Sequence, residues 1–285
     1  MKHVFIMYDT KKSHDFEETI QEVMKNEDYE VIYTHSTQEA KKVIQNYPEK
    51  ARMYSVGGDG SANALVQGLV NTEHELVIVP LGTGNDFCRI LTNEKDPIEL
   101  LKRSLSCQSQ KVDTVKINDH YYLNTACFGV DSVIANHVHD TPDIPFVPES
   151  KSYIVSILQH VFKYDFGRVR IESEGKVIFD DPVTVCTLNN GQYFGGGFRI
   201  TPQADIQDGY LDVCVVDKLP KAKIPYILTF LIREKLDKRK EVHFFKLKEA
   251  DVYTSNPGNI DGEEYNAQHY HFEVMPGSLN LVMYK

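Results

Sequence analysis

Four short segments hold residue types whose spacing suits phosphate and proton chemistry. Gly57-Gly58-Asp59-Gly60-Ser61 follows an apolar run and precedes a helical pattern. Glycines there let the backbone approach a ligand closely and take up positive φ. The open amides of a following helix start attract anions such as phosphate. Asp59 is itself an anion, so it suits a phosphate site only beside a metal ion or a water network. The plainer alternative is a tight turn with a helix cap. Leu81-Gly82-Thr83-Gly84-Asn85-Asp86-Phe87 repeats the pattern at the end of the next apolar run. Thr83 offers a hydroxyl there, and Asn85 an amide that could also cap a helix. Two such turns, one strand–helix unit apart, make a crevice at the carboxyl edge of a parallel sheet, where open α/β sheets bind ligands.

The other two segments lie in the second half. Asn189 to Phe198 ends a strand and carries Gly195-Gly196-Gly197. It leads into Thr201 to Asp212, where Asp205 and Asp208 stand three apart before a strand. Two carboxylates so placed could aim at one hard cation such as Mg²⁺, which takes oxygen ligands. They also suit a solvated Asp-Gly turn. Asp261-Gly262-Glu263 presents two acids in strand alternation, on one face. Either could accept the proton of a hydroxyl, and an Asp-Gly turn with solvated acids is again the alternative.

The elements that must position these residues fall into two styles. In the first half, strands at His3–Tyr8, Tyr29–Thr34, Arg52–Val56 and Leu76–Pro80 alternate with helical spacings. Those spacings fall over Phe16–Met24, over Thr37 (as cap) to Tyr47, and over Ala62–Val70. That alternation implies crossover units and a parallel sheet. The second half reads as short strands: Val112–Ile117, Tyr121–Ala126, Arg168–Glu172, Lys176–Phe179, Thr184–Asn189, Leu211–Val216, Glu241–Lys246, Glu249–Thr254 and His271–Val274. This is the pattern of an antiparallel sandwich or barrel. Helices are expected over Tyr153–Phe162 and Ile224–Arg233, and a Pro-rich surface loop over His139–Pro148. The change of style near residue 115 divides the chain into an α/β domain (1–115) and a β-rich domain (116–275).

Composition narrows the function. With 31 Lys+Arg against 41 Asp+Glu, the net charge of −10 argues against wholesale binding to duplex nucleic acid. The charge is uneven, however, and residues 218–250 are basic. No run approaches the roughly 18 apolar residues of a spanning helix, and the N-terminal apolar run is too short for a signal peptide. The five cysteines are scattered singly, as reduced thiols of a cytosolic protein would be.

Gly57–Ser61, Pro80–Phe87, Asn190–Gly209 and Asp261–Glu263 together resemble, in order, the motifs of the bacterial diacylglycerol kinase-like lipid kinases. Their wider family takes in the catalytic cores of diacylglycerol, sphingosine and ceramide kinases and is related to NAD kinase. The resemblance implies a two-domain NAD kinase/diacylglycerol kinase-like fold, α/β domain first and β-sandwich second, with residues 276–285 returning to the first domain. It implies a nucleotide site at Thr34, Gly57, Gly58, Asp59, Gly60, Ser61, Gly82, Thr83 and Asn85. It also implies Mg²⁺ held by Asp205, Asp208 and the Tyr210 carbonyl, and catalytic acids Asp59, Asp261 and Glu263. The expected activity is transfer of the ATP γ-phosphate to a lipid hydroxyl, most simply that of diacylglycerol. The expected setting is cytoplasmic, in peripheral contact with a membrane, with homodimers common in such proteins. An NAD kinase-like enzyme and a non-catalytic nucleotide- or lipid-binding regulator are the competing readings. The departure is at Asp9-Thr10-Lys11-Lys12-Ser13, where the family usually carries Asn-Pro-x-Ser-Gly. Lys11 or Lys12 could there meet a phosphate as a point charge.

Overall fold

Strands that are buried on both faces read as unbroken apolar runs; three such strands and one half-buried edge strand build the first half. They are β1 (Lys2–Tyr8), β2 (Tyr29–Thr34), β3 (Ala51–Gly57) and β4 (Glu75–Pro80), hydrogen-bonded in parallel in the order β2–β1–β3–β4, with β2 at the edge. The computed structural model describes residues 1–129, Ser132 and residues 167–284. The expected Pro-rich loop His139–Pro148 and helix Tyr153–Phe162 lie outside the described residues. Helices α1 (Lys11–Val23), α2 (Thr37–Gln45) and α3 (Asp59–Leu69) make the crossovers. The cap of α2 is Ser36 rather than Thr37: the Ser36 hydroxyl accepts the Glu39 N–H, and the Glu39 carboxylate accepts the His35 N–H in return. That reciprocal pair is a capping box. Two further helices, α4 (Cys88–Leu91) and α5 (Pro97–Ser104), follow β4.

The β-rich half is built from β5 (Ser109–Ile117), β6 (His120–Tyr122), β7 (Thr125–Gly129), β8 (Arg168–Ser173), β9 (Lys176–Asn189), β10 (Tyr193–Phe194), β11 (Phe198–Arg199) and β12 (Leu211–Asp217). Helix α6 (Ile224–Ile232) precedes β13 (Val242–Leu247), β14 (Glu249–Thr254), β15 (Gly258–Ile260), β16 (Glu263–Glu264) and β17 (His269–Val282). Strand β17 pairs antiparallel with β5 and β14, then runs parallel to β4 through Asn280 and Leu281. One strand thus crosses from the sandwich into the parallel sheet. It bends between Met275 and Leu279, where Gly277 has φ +58°. Each half buries its own apolar cluster, and a third cluster lies between α6 and the β10–β11 hairpin.

Some strands differ from the sequence reading. Tyr121–Ala126 is not one strand: the chain breaks at Leu123–Asn124. Lys176–Phe179 and Thr184–Asn189 are one strand, continuous through Pro182. None of the five cysteines is joined to another by a disulfide.

Candidate active site

The two Gly-rich turns touch backbone to backbone. Gly57 O accepts the N–H groups of Leu81 (2.8 Å) and Gly82 (3.2 Å), which ties the end of β3 to the turn after β4. A Cβ on Gly82 would stand 2.5 Å from Gly58 Cα, so this approach excludes any side chain. Asn85 adopts φ +49° and its amide donates to Gly82 O at 2.6 Å. It closes the second turn and caps no helix, because α4 begins without a side-chain cap.

Asp59, the first residue of α3, spends both oxygens on that second turn. Oδ2 accepts the Asp86 N–H (2.9 Å) and Oδ1 the Phe87 N–H (3.1 Å). Burial raises its pKa above the carboxylate range, against the pull of those amides. The sequence reading gave Asp59 a metal or water network; here it joins the two turns. Asp86, which the sequence reading left without a role, is buried beside it. Its Oδ2 accepts the Gly196 N–H at 2.9 Å, and its Oδ1 lies 3.3 Å from Arg89 Nε. Burial first, and then the Asp59 charge, push its pKa up to about 6. The triple-glycine segment therefore latches the β-rich half onto the Asp86–Arg89 pair. Gly195, Gly196 and Gly197 all hold positive φ, which a side chain would strain.

Asp261 and Glu263 do not share a face. Asp261 (φ +47°) and Gly262 (φ +93°) form the two-residue loop between β15 and β16, the left-handed pair of a type I′ hairpin. Asp261 is only 4% exposed. Its carboxylate accepts N–H groups from Leu123 (2.8 Å), Asn124 (3.1 Å) and Thr125 (2.8 Å), and this breaks the strand there. Burial outweighs those bonds, and the neighbouring Asp59 charge adds to it, so its pKa rises to about 7. Asp261 thus positions the turn, with both carboxylate oxygens accepting backbone N–H groups. Glu263 is exposed, and a Cβ on Gly60 would lie 3.3 Å from its Oε1. Glu263 is the acid that the fold brings to the start of α3 with its carboxylate accessible.

Beside the turns lies a cleft of about 550 Å³ lined by Gly82, Thr83, Asn85, Arg89, Lys95 and Tyr193, and by Lys12. Lys12 donates to Leu81 O. Of the two lysines in the altered first loop, Lys12 reaches the cleft; Lys11 does not line it. Thr34 does not line it either: it is buried, with its hydroxyl 3.4 Å from Met7 O. Ser61 packs over Gly57, where a Cβ would lie 2.2 Å from its Oγ.

Asp205, Asp208 and Tyr210 sit elsewhere. Asp205 Oδ1 accepts the Gln207 N–H and Asp208 Oδ1 the Tyr210 N–H, so both close local turns. Asp208 Oδ2 pairs with Lys246 Nζ at 2.5 Å, and the Lys246 and Lys248 ammoniums both lie over the Tyr210 ring. Asp113 beside them accepts the Gly209 and Gly277 N–H groups, each at 2.7 Å, which fixes the bend in β17. Among the described residues, no group of three or more His, Cys, Asp or Glu is arranged to hold a metal ion. Of the expected Mg²⁺ set, Asp208 is paired here with the Lys246 ammonium. Sequence offered no signal for Lys246, which lies 38 positions away on another strand.

A parallel sheet with two glycine turns at its carboxyl edge, closed over by a β-sandwich carrying an acid, defines the two-domain architecture of diacylglycerol and NAD kinases. The family model of the diacylglycerol kinase catalytic domain matches residues 7–117, and that of the YegS C-terminal NAD kinase beta sandwich-like domain matches residues 124–283. The chain belongs to this diacylglycerol kinase-like family of kinases. It is 29% identical to a diacylglycerol kinase of Staphylococcus carnosus and 27% identical to that of Staphylococcus saprophyticus, each over 80% of this chain and 74% of the relative. The solved structure of a diacylglycerol kinase from Bacillus anthracis superposes with a TM-score of 0.74 at 21% identity, over 99% of this chain and 96% of that one. An NAD kinase from Archaeoglobus fulgidus in complex with ATP superposes with a TM-score of 0.55 at 14% identity, over 99% of this chain and 93% of that one. At these identities the structural likeness concerns the fold. No helix among the described residues is long and apolar enough to cross a membrane.

Proposed function

We propose that the chain is an ATP-dependent lipid kinase that phosphorylates the hydroxyl of a membrane lipid alcohol, diacylglycerol before others. The observation that carries this reading is the accessible Glu263 carboxylate beside Gly60, next to the two glycine turns. ATP enters as its magnesium complex, with its phosphates against the amides of Thr83–Asn85 and the start of α3. Lys12, Arg89 and Lys95 line the same cleft and supply positive charge. Glu263 takes the proton of the lipid hydroxyl. The hydroxyl oxygen bonds to the γ-phosphorus, the bond to the β–γ bridging oxygen breaks, and ADP leaves. Phosphoryl transfer needs mainly alignment and charge stabilisation, and Asp59 and Asp261 serve alignment by fixing the turns. The diacylglycerol kinase names of the relatives favour that acceptor. The reading is of a cytoplasmic enzyme that meets its acceptor at a membrane surface.

The test is ADP release from ATP with diacylglycerol, ceramide, sphingosine or NAD as acceptor, in wild type and Glu263→Gln. A positioned base contributes roughly 10²–10⁴-fold, so Glu263→Gln lowers turnover by about two orders of magnitude or more with its melting temperature unchanged. Wild-type turnover in that variant removes Glu263 from the role. ADP release with NAD alone replaces the lipid reading.

A further inference from the structure

Helix α6, Ile224–Ile232, reads Ile-Pro-Tyr-Ile-Leu-Thr-Phe-Leu-Ile and holds no charged residue. It lies on the surface. Ile224, Ile227 and Leu231 face inward and pack on the β10–β11 hairpin and its neighbours. The outward face is apolar as well: Tyr226 is 50% exposed, Ile232 is 55% exposed, and Pro225 and Thr229 are exposed between them. A surface helix of a soluble domain ordinarily turns a charged face to water. The charge sits instead at its two ends. Between residues 218 and 240 there are eight basic residues against two acidic ones, in a chain whose net charge is −10. Lys223 before the helix, and Arg233, Lys235, Lys238 and Lys240 after it, are exposed. The Arg239 guanidinium lies over both the Tyr226 and Phe230 rings, at 5.1 and 4.8 Å.

We infer that this face of α6, with its basic rim, is the surface by which the protein docks on an anionic lipid bilayer. Apolar side chains flanked by Lys and Arg are what an interfacial helix presents to lipid, and each basic residue near an anionic surface adds attraction. The charge complementarity selects this occupant: a basic rim suits anionic headgroups and repels the same rim on a second copy of the chain. The surface is also joined to the site. The hairpin under α6 carries Gly195–Gly197, whose Gly196 N–H holds Asp86, and Arg199 of β11 pairs with Glu234 just past the helix at 3.2 Å. Docking through α6 sets the bilayer beside the hairpin that latches over the cleft. The inference deepens the lipid kinase reading and rests on it for the identity of the acceptor.

The experiment is co-sedimentation of the full chain with vesicles of phosphatidylcholine alone or mixed with phosphatidylglycerol. Wild type is expected to partition onto the mixed vesicles at least about tenfold more strongly, and to lose that preference at high salt. The double variant Tyr226→Ser, Ile232→Ser weakens partition about tenfold. Lys235→Gln with Lys240→Gln, which leaves the apolar face intact, weakens it roughly tenfold at low salt. Both variants melt as wild type does, because all four side chains are exposed. Equal partition of wild type onto both vesicle types, or wild-type partition of both variants, overturns the inference. So does a change of mass in light scattering with vesicle binding unaltered, which would give the face to a second copy. ADP release with a water-soluble short-chain diacylglycerol separates the two levels. Its absence, with vesicle partition intact, refutes the kinase reading and leaves the docking surface standing. Its presence in a protein that ignores vesicles refutes the docking surface alone.

Discussion

Gly82→Ala tests whether the contact between the two glycine turns builds the nucleotide site. The new Cβ would lie 2.5 Å from Gly58 Cα and 2.8 Å from Asn85 Oδ1. Carbon atoms rest at about 3.5–4.0 Å, so the turns must part by about 1 Å. Neither can yield locally: Gly57 O binds the Leu81 and Gly82 amides, and Asp59 binds those of Asp86 and Phe87. Overpacking of this kind costs about 1–3 kcal/mol, a fall of roughly 2–10 °C in melting temperature for a chain of this size. Catalysis suffers more, because a displacement of about 1 Å at a reacting group can cost about 10²-fold. Melting curves and steady-state ADP release, with ATP varied at saturating lipid, read the two effects separately. Expected are a folded protein, a KM for ATP raised at least about tenfold and a turnover lowered by about two orders of magnitude. A folded variant with wild-type kinetics would refute the idea that the two turns cradle the nucleotide together.

Other consequences follow from single groups. In Asp86 the folded pKa of about 6 exceeds the ordinary 3.8, so the native state holds a proton that the unfolded chain releases. Its contribution therefore falls as pH climbs through about 4 to 6, by at most about 3 kcal/mol. Asp86→Asn should gain on wild type across that window in urea unfolding, and parallel pH profiles would contradict it. Asp261→Ala strips acceptors from three backbone N–H groups and should cost about 1–3 kcal/mol in denaturant unfolding; unchanged stability would show that the turn holds without it. Lys246→Met removes the counter-ion of Asp208, a half-exposed pair worth about 1 kcal/mol or less. Magnesium chloride should then raise the melting temperature of the variant and not of wild type. An equal rise in both would mean that the turn takes metal despite the lysine.

The parallel sheet was legible because β1, β3 and β4 are buried on both faces, and such strands announce themselves as apolar runs. The glycine turns were legible too, since few other structures ask for glycine at those positions. Contacts between distant segments were not. Asp86 reads as one more polar residue until Gly196, 110 positions on, meets its carboxylate. The break at Leu123–Asn124 has no local cause, because Asp261 makes it from across the sheet. Alternation placed Asp261 and Glu263 on one face, but the Asp-Gly pair turns the chain between them, sending one acid inward and leaving the other exposed beside Gly60. The Asp205–Asp208 spacing suits a cation, but the lysine that pairs with Asp208 lies on a strand that nothing in the spacing points to. On α6 the charge-free sequence was visible, while the fact that half of it faces water was not.

The most direct measurement is mass spectrometry of the lipid extract after incubation with ATP, magnesium and diacylglycerol-containing anionic vesicles, alongside ADP counted in the same tube. Wild type should form phosphatidic acid and ADP in equal amounts, and Glu263→Gln should form neither above background. ADP without phosphorylated lipid, or phosphatidic acid formed as readily by Glu263→Gln, contradicts a lipid hydroxyl deprotonated by Glu263 as the attacking group.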